Sequence, residues 1–437
     1  MQKPNVIMIM ADDVGYGDLS VYGQQFFKTP HLDNLAASGA RFTQFYTGAP
    51  VCSPARSSYM QGVDTGHSRV RGNANFFYNR TNLRPSDVTI GEVLQQAGYH
   101  TAHIGKWHLS IPGATGQPQM QGFDYWFGPL NKDREESGPN PYFLNGEEIE
   151  LEVGSWGHDH YMRHALKYIR ERALKNQPFF LNLALKTAHA SHMKLIGTDR
   201  LIDIDPEFDK FDWNPSDKRV ATMIRAMDDG VGAIVSLLNE LGIQEKTVVF
   251  FTSDNGPHAE RGSNPETFDR NGAWRGIKRD MYEGGIRVPM IVSWPGTIEA
   301  GQVTDHPSAF LDLMSTYADM ADAVLPSTAG GISILPGLLG KQQPQHPYLY
   351  WEFSFRKSAF KQAIRIGPWK GIRIGHYHPL ELYNINEDPG EMNDLALKYP
   401  RYVTMMENWM NLAREDNPEF YPGVEMDIPG AEFAPTE

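Results

Sequence analysis

Residues 5–13 read NVIMIMADD, an apolar run that ends in two adjacent carboxylates. A short, continuous apolar run is typical of a strand whose two faces are both buried in a sheet. The pattern predicts such a strand over Asn5 to Met10, with Asp12 and Asp13 at its carboxyl end.

Similar apolar segments recur along the chain and alternate with helical patterns. Further strands are predicted at His100 to Gly105, Pro178 to Ala184, Thr247 to Ser253 and Val288 to Trp294. Helices are predicted at Asp87 to Ala97, His160 to Lys175 and Ser216 to Leu241. This alternation predicts an α/β fold with a mainly parallel sheet between layers of helices. In such folds ligands bind beyond the carboxyl ends of the strands.

The pattern changes after about residue 325, where glycine and proline become frequent. Short β-like runs follow at Tyr348 to Phe353, Ala363 to Ile366 and Trp369 to Ile374, and a helix is predicted at Tyr402 to Glu415. We therefore predict two units, a larger catalytic one over residues 1–340 and a smaller C-terminal α+β one, with an antiparallel sheet, over residues 341–437. The acidic tail from Asn417 is expected to be loosely held.

Composition limits the classes of partner. The 437 residues carry a net charge of −13, which argues against binding to nucleic acid. No apolar run is long enough to predict a membrane span, and Met1 to Pro4 lead directly into the first strand, so no signal peptide is expected in this sequence. The single cysteine, Cys52, excludes an intramolecular disulfide. A lone cysteine is most often a small buried apolar residue.

A second strand end carries oxygen ligands. Asp12 and Asp13 alone resemble ordinary turn or helix-cap residues. However, the strand predicted at Thr247 to Ser253 also ends in a carboxylate and an amide, Asp254 and Asn255. Carboxylate and amide oxygens suit calcium or magnesium, and the absence of thiol or imidazole from this set disfavours zinc.

Residues 52–56 read CSPAR and match the motif C-x-P-x-R. Five more blocks accompany it in order: ADDVGYGD (11–18), GYHTA (98–102) leading to GKWH (105–108), SDNG (253–256), RGIK (275–278) and EGGIRVP (283–289). Over almost its whole length the chain thus resembles the formylglycine-dependent (type I) sulfatases, of the arylsulfatase and N-acetylgalactosamine-sulfatase kind.

The resemblance implies an alkaline-phosphatase-like fold and a sulfatase activity. It also implies that a separate formylglycine-generating maturation enzyme oxidises Cys52 to an aldehyde, 3-oxoalanine, which is hydrated to a diol. Asp12, Asp13, Asp254 and Asn255, together with residue 52, would hold Ca²⁺, with Mg²⁺ as the alternative.

The resemblance also assigns roles to the cationic and imidazole side chains. Arg56 would orient the diol, and Lys106 and Lys278 would bind sulfate oxygens as charge develops on them. His108 would take a proton from the diol so that sulfate leaves. This second hydroxyl distinguishes a diol from serine, which would remain esterified.

One histidine assignment has an alternative. His189 matches the position of the family's general acid or sulfate-binding histidine, but the proline that often follows is replaced by Ala190-Ser191-His192. His189 is the favoured match, and His192 is the alternative.

The substrate is expected to be a sulfated sugar. Residues 66–73, GHSRVRGN, resemble a variant found in sulfatases that act on sulfated sugars, including galactosamine sulfates. Arg71 and His258 are candidate substrate-binding residues, and His67 and Trp274 are further candidates for a sugar subsite. Because sulfated polymers usually lie outside the cytoplasm, the resemblance favours an exported enzyme, periplasmic or extracellular.

Two other functions remain open from the sequence. A phosphodiesterase or phosphonate hydrolase on the same scaffold would use a similar metal and similar oxyanion contacts. A non-catalytic sulfoglycan-binding protein would result if Cys52 were never oxidised.

Overall fold

The structure is a computed structural model of the chain and describes residues 3–73, 82–130, 141–354, 360–375 and 377–417. The strands are β1 (Asn5–Ala11), β2 (Ala40–Phe42), β3 (Phe45–Tyr46), β4 (His100–Gly105), β5 (Tyr125–Pro129), β6 (Tyr142–Leu144), β7 (Glu147–Ile149), β8 (Phe179–Ala184), β9 (Thr247–Ser253), β10 (Met290–Ser293), β11 (Gln302–Thr304), β12 (Ser308–Ala309), β13 (Leu349–Ser354), β14 (Phe360–Ile366), β15 (Trp369–Ile374) and β16 (Glu381–Asn384). The α-helices are α1 (Pro30–Ala37), α2 (Cys52–Gln61), α3 (Ile90–Gln96), α4 (Gly157–Ala173), α5 (Pro215–Glu240), α6 (Glu283–Ile286), α7 (Asp312–Ala321), α8 (Leu335–Leu338) and α9 (Pro400–Leu412).

A ten-stranded sheet in the order β11-β2-β10-β9-β1-β8-β4-β5-β6-β7 forms the centre of the molecule. Its middle strands, from β9 to β5, are parallel. The predicted strand β10 is present but runs antiparallel to β9. Because Ala11 pairs with Ser253 and Gly105 with Ala184, the carboxyl ends of β1, β9, β4 and β8 lie at one edge. This edge carries the candidate site.

The first strand explains why the sheet is covered on both faces. Val6, Met8 and Met10 enter one hydrophobic core, which also contains residues of α2, α3 and α7. The alternate residues Ile7 and Ile9 enter a second core with residues of α1, α4 and α5. An apolar residue is therefore needed at nearly every position of β1, as the continuous run predicted.

Helix boundaries differ from the predicted ones by a few residues. Helix α3 begins at Ile90 instead of Asp87 because the Thr89 backbone N–H donates to Glu92 Oε2 (2.8 Å) and the Thr89 side chain accepts from the Glu92 N–H. This reciprocal cap fixes the helix start. Helix α4 begins three residues before the predicted His160, at Gly157.

The C-terminal unit contains an antiparallel sheet, β13-β14-β15-β16, with α9 packed on it. The last strand was not predicted, whereas the first three and the helix were. The division at residue 340 stays a prediction, and the tail from residue 418 lies outside the described residues. Within the described ranges, no helix has the length and apolar character needed to cross a membrane.

Candidate active site

Three carboxylates meet at the carboxyl ends of β1 and β9. Ligand atoms of Asp12, Asp13, Asp254 and Cys52 all lie within 4.8 Å of one another. All four residues are buried. Cys52, the first residue of α2, directs its Sγ to Asp12 Oδ1 at 3.5 Å. The structure thus brings the cysteine motif and both acidic strand ends together.

Asn255 supports cation binding at this cluster. Its Nδ2 donates to Asp13 Oδ1 (2.7 Å), while its Oδ1 is buried without a hydrogen-bond partner among the described residues. A buried oxygen without a hydrogen bond destabilises the folded protein unless a ligand binds to it. Together with Asp12, Asp13 and Asp254 it forms an oxygen-rich donor set, which fits a hard divalent cation.

The thiol of Cys52 is itself a poor match for this chemistry. Burial, opposed by nearby Lys106, raises the pKa of Cys52. The side chain therefore stays a protonated thiol at neutral pH, and a thiol is neither a strong nucleophile nor a ligand preferred by hard cations. Oxidation of this residue would replace sulfur with oxygen.

Each carboxylate is paired with one fixed cation. Lys106 Nζ lies 2.7 Å from Asp12 Oδ2, and Lys278 Nζ lies 2.8 Å from Asp13 Oδ2. Arg56 donates to Asp254 Oδ2 through Nε (3.0 Å) and Nη2 (2.7 Å). Three negative charges thus face three positive ones. A bound divalent cation would leave a positive surplus, which suits an anionic substrate.

The carboxylates differ in their readiness to ionise. Burial alone would raise the pKa of Asp12, but Lys106 and His189 hold it well below its ordinary value. For Asp254, burial and the neighbouring Asp12 raise the pKa to about 6. A bound cation would favour the ionised form of Asp254.

The backbone of Asp13 is held in a left-handed conformation, with φ 65°. Arg270 Nη2 donates to the Asp13 carbonyl oxygen (2.8 Å) and also pairs with Asp18 Oδ2 (2.9 Å). Both side chains of this ion pair are fully buried. Arg270 is thus a positioning residue for Asp13. The sequence did not predict this role, because Arg270 lies in a long loop without hydrophobic periodicity.

His108 follows β4 and has two open ring nitrogens. Its φ is 63°, and both Nδ1 and Nε2 are buried without a hydrogen-bond partner in the part of the chain that the structure describes. Burial and the neighbouring Lys106 and Arg56 cations hold the pKa of His108 well below its ordinary value. A neutral imidazole with a free nitrogen can accept a proton.

His189 faces the cluster, with Nε2 at 3.8 Å from Asp13 Oδ2. The Ser191 backbone N–H donates to His189 Nδ1 (3.1 Å), so the proton of the neutral ring is on Nε2. Burial and Lys278 hold the pKa of His189 well below its ordinary value. The alternative residue, His192, instead stacks on Tyr161, with ring centroids 5.9 Å apart.

Glu260 is a carboxylate of this site that the sequence did not reveal. Its Oε1 lies 2.6 Å from Arg279 Nη2 and 3.3 Å from Lys278 Nζ, and its Oε2 lies 3.9 Å from His189 Nε2. Burial is outweighed by Lys278, which lowers the pKa of Glu260 to about 2. Glu260 does not directly follow a strand, so the sheet register does not predict its position. It reaches Lys278 only through the fold of its loop.

His258 lies near the site, but internal hydrogen bonds occupy its ring. Its Nε2 donates to the Ala188 carbonyl oxygen (2.9 Å), and its Nδ1 accepts from the Glu260 backbone N–H (3.1 Å). Burial lowers its pKa to about 4, so the ring is neutral. These bonds tie the loop of His189 to the loop of Glu260, which favours a positioning role over substrate contact.

The other sugar-subsite candidates also have partners elsewhere. Arg71 is buried and pairs with Glu352 Oε1 at 3.0 Å, and His67 Nδ1 lies 2.8 Å from Asp64 Oδ1. The Arg287 guanidinium lies over the ring of Trp274, 3.8 Å from its centroid. No contact among the described residues joins any of these three side chains to the carboxylate cluster.

Comparisons with known proteins agree with this site. The profile of the sulfatase family matches residues 4–323, and that of the N-sulphoglucosamine sulphohydrolase C-terminal region matches residues 273–415. N-acetylgalactosamine-6-sulfatase of Canis lupus familiaris is 30% identical over 481 residues, which cover 97% of this chain and 87% of the relative. Arylsulfatase A of Homo sapiens is 30% identical over 444 residues, which cover 90% and 83%.

Solved structures also match over most of the chain. The crystal structure of Ps i-CgsB in complex with k-i-k-neocarrahexaose superposes with a TM-score of 0.81 and 28% identity, covering 94% of this chain and 92% of that one. The predicted alkaline-phosphatase-like fold and the predicted family are both confirmed. The family implies a formylglycine and a metal ion. The chain belongs to the sulfatase family and is a sulfuric ester hydrolase.

Proposed function

We propose that this enzyme removes sulfate from a sulfated carbohydrate, using Ca²⁺ held by Asp12, Asp13, Asp254 and Asn255 and a formylglycine made from Cys52. The observation that carries the proposal is the unsatisfied Asn255 Oδ1, which is buried beside three carboxylates and Cys52. Mg²⁺ is the alternative ion, because its preferred ligands are also oxygens.

The proposed chemistry depends on positive charge that is fixed before the substrate arrives. When bound, the cation and the hydrated aldehyde of residue 52 supply a Lewis acid and an oxygen nucleophile. Lys106 and Lys278 bind the sulfate oxygens, and each ammonium is already held within 2.8 Å of a carboxylate. Arg56, bonded to Asp254 and to the Lys106 carbonyl oxygen (2.8 Å), keeps residue 52 and Lys106 in register. Such preorganisation avoids reorganisation during the reaction.

Two neutral histidines move protons in this proposal. His189 carries its proton on Nε2, which faces the cluster, and donates it to the oxygen of the leaving alcohol. His108 has an open ring nitrogen and accepts a proton at the residue 52 side of the site. Burial favours the neutral form of both rings, so each can act at neutral pH.

The carbohydrate part of the proposal rests on the relatives. One is named an N-acetylgalactosamine-6-sulfatase, and the Ps i-CgsB structure contains a neocarrahexaose. The proposed substrate contacts do not include Arg71, whose Nη1 donates to Glu352, or His258, whose two ring nitrogens are hydrogen-bonded within the protein. Oxidation of Cys52 by a maturation enzyme, and export of the protein, stay predictions.

A phosphodiesterase with two metal ions is the principal rival. Asp13, His189 and Glu260 have ligand atoms within 4.8 Å of one another, an arrangement that could hold a second metal. However, Lys278 Nζ lies 2.8 Å from Asp13 and 3.3 Å from Glu260. A fixed ammonium between these carboxylates favours a one-metal sulfatase over the rival.

The test compares para-nitrophenyl sulfate with the phosphodiester bis(para-nitrophenyl) phosphate, using protein produced with a formylglycine-generating enzyme. We expect kcat/KM for the sulfate ester to exceed that for the phosphate ester, and sulfate release from N-acetylgalactosamine 6-sulfate or a related sugar. Preferred turnover of the phosphate would support the phosphodiesterase. Binding of sulfated sugars without any sulfate release would support the non-catalytic binding protein.

A further inference from the structure

The ammonium of Lys186 has no role in the proposed chemistry. Lys186 lies two residues beyond Ala184 of β8, and Ala184 pairs with Gly105 of β4. Lys106 directly follows Gly105, so the two lysines leave neighbouring parallel strands at the same edge of the sheet. Lys186 therefore lies beside the sulfate-binding cations.

Lys186 lacks a counter-ion, unlike the lysines that are more deeply buried. Lys106, Lys278 and Lys370 each have a carboxylate oxygen within 2.9 Å. Lys186 is half-buried, and its ammonium has no hydrogen bond or ion pair in the described part of the chain. Removing an ammonium from water without a partner is costly, so an anion from outside the chain would stabilise it.

His192 supplies a second open group next to Lys186. Its Nε2 is buried and has no hydrogen-bond partner within the described ranges, and only 4% of the residue is exposed. The ring is held by stacking on Tyr161, and Trp156 Nε1 donates to the His192 carbonyl oxygen (2.8 Å). The His189 backbone N–H donates to the Lys186 carbonyl oxygen (2.9 Å) and the His192 backbone N–H to the His189 carbonyl oxygen (2.8 Å), so two consecutive turns hold Lys186 and His192 on one short loop. Burial, and then the charge of Lys186, hold the pKa of His192 well below its ordinary value. A neutral ring with a free nitrogen can donate a hydrogen bond to an anion.

The local charge balance also leaves room for another anion. Four carboxylates of the site are matched by four cations, in the pairs Asp12–Lys106, Asp13–Lys278, Asp254–Arg56 and Glu260–Arg279, so Lys186 adds one uncompensated positive charge. This surplus occurs in a protein with a net charge of −13. A local positive field against an acidic background attracts anions selectively.

We propose that Lys186 and His192 form a subsite for a second anionic group, a sulfate or a carboxylate, on the sugar whose sulfate ester is cleaved. This inference rests on the proposed function. Lys106 and Lys278 each contact a carboxylate of the central cluster, whereas Lys186 contacts none of them. Lys186 therefore serves a group beside the scissile sulfate, and the enzyme favours saccharides with two negative charges.

The test measures selectivity in the parent and in Lys186→Gln. Three probes are compared: N-acetylgalactosamine 6-sulfate, N-acetylgalactosamine 4,6-disulfate and a 6-sulfated chondroitin disaccharide that carries a uronate. The selectivity ratio is kcat/KM for the doubly charged sugar divided by kcat/KM for the singly charged sugar. Because Lys186→Gln loses a hydrogen bond to a charged group, we expect this ratio to fall about 10- to 100-fold. Comparison of the ratios for the disulfate and for the uronate disaccharide shows whether the subsite binds a sulfate or a carboxylate. Lys186→Arg should retain most of the ratio.

Lys194→Gln is the matched control. Lys194 follows on the same loop, is exposed, and pairs with Asp199 at 3.3 Å. Its variant should keep both the selectivity ratio and the basal activity of the parent. Melting curves of all variants exclude general unfolding as the cause of a change.

Two outcomes would overturn the subsite. Equal losses of kcat/KM on singly and doubly charged sugars would assign Lys186 to the scissile sulfate or to folding. Unchanged kcat/KM values on all of the sugars would leave Lys186 without a substrate role. In either case hydrolysis of para-nitrophenyl sulfate by the parent would show that the proposed function itself stands. The same selectivity can be measured without turnover, as the ratio of the dissociation constants of the singly and doubly charged sugars for Cys52→Ala. If Cys52→Ala with Lys186 intact binds none of the sugars, both proposals are contradicted.

Discussion

Two buried charge clusters of this enzyme contain the same residue types but differ in what they leave open. The first, the site cluster, contains Asp12, Asp13, Asp254, Arg56, Lys106 and Lys278. The second, the junction cluster, lies between the large sheet and the C-terminal sheet and contains Glu283, Arg287, Lys370 and Glu391. In the junction cluster Lys370 Nζ lies 2.9 Å from Glu283 and 2.8 Å from Glu391, and Arg287 lies 3.1 Å from Glu283.

The site cluster is equally buried but less complete. Asn255 Oδ1 and both nitrogens of His108 are buried without partners, and Lys186 beside them has no counter-ion among the described residues. The junction cluster instead uses its charges to join two parts of the fold, since Glu283 and Lys370 come from opposite sides of the interface. Glu391 Oε1 in the junction cluster also lacks a hydrogen bond, but it lies 2.8 Å from the Lys370 ammonium. Burial of charge alone therefore does not mark an active site, whereas buried polar atoms with neither a hydrogen bond nor an oppositely charged partner do.

The largest expected effect comes from removing the side chain of residue 52. Cys52→Ala eliminates the precursor of the nucleophile, and we expect kcat on an aryl sulfate to fall by about 10³-fold or more. The melting temperature should stay close to that of the parent, because Cys52 makes a single weak contact with Asp12. Assay and melting curve are measured on the same preparation. Substantial activity in Cys52→Ala would show that residue 52 is not the source of the nucleophile.

The next effect is that of metal removal. A chelator should lower aryl sulfate hydrolysis by about 10²-fold or more, because the cation supplies charge to the transition state. It should also lower the melting temperature, since a ligand at 100 times its Kd stabilises a fold by about 2.7 kcal/mol. Ca²⁺ should restore both properties, and Asn255→Ala should require more Ca²⁺ for the same recovery. Full activity after exhaustive chelation would contradict a metal at the site cluster.

A matched pair of lysine variants separates the two clusters. Lys278→Met should lower kcat/KM by about 10²-fold through loss of a sulfate contact. With Ca²⁺ present its unfolding free energy should change little, because the cation compensates Asp13. Lys370→Met leaves Glu283 and Glu391 with a single cation of the cluster, Arg287, which contacts only Glu283 of the two, and removing one partner of a buried pair costs about 3–5 kcal/mol.

The remaining folded fraction of Lys370→Met should keep the parent kcat. Chemical unfolding and initial rates of both variants are the required measurements. The distinction between the clusters fails if Lys370→Met loses turnover without losing stability, or if Lys278→Met shows the reverse.

The smallest effect, for a change of one pH unit, is the pH dependence of stability. Burial lowers the pKa of His103 to about 3 and that of His158 to about 4. Below the unfolded pKa of about 6.5, the unfolded chain binds protons that the folded chain does not. Stability is therefore complete above about pH 6.5 and is lost as pH falls toward the folded pKa values, by roughly 1.4 kcal/mol per pH unit for each histidine. Unfolding in denaturant at several pH values measures this slope, and His103→Gln should reduce it. An equal slope in both proteins would contradict the prediction.

Much of the fold and of the central site could be predicted from local sequence. The apolar run before Asp12 and the one before Asp254 predict parallel strands, and the ends of neighbouring parallel strands meet at one edge. The same reasoning applies to Lys106, which follows β4. Residues at strand ends are predictable because the sheet register places them.

Residues on long loops were not predictable in this way. Glu260 and Arg270 reach the site only after the loop between β9 and β10 has folded, and no periodicity indicates their direction. His258 and Arg71 were candidates for sugar binding, but their partners Ala188 and Glu352 lie 70 and 281 residues away in the chain. Such distant pairings depend on tertiary structure, which one sequence does not reveal.

The most direct test of the central claim is mass spectrometry of the peptide that spans residue 52. It is applied to enzyme purified with and without a co-expressed formylglycine-generating enzyme, and aryl sulfate turnover is measured in parallel. We expect residue 52 to carry an aldehyde or its hydrate in the active sample, and turnover to rise in proportion to the converted fraction. Full turnover by a protein whose Cys52 is an unmodified thiol would contradict the central claim.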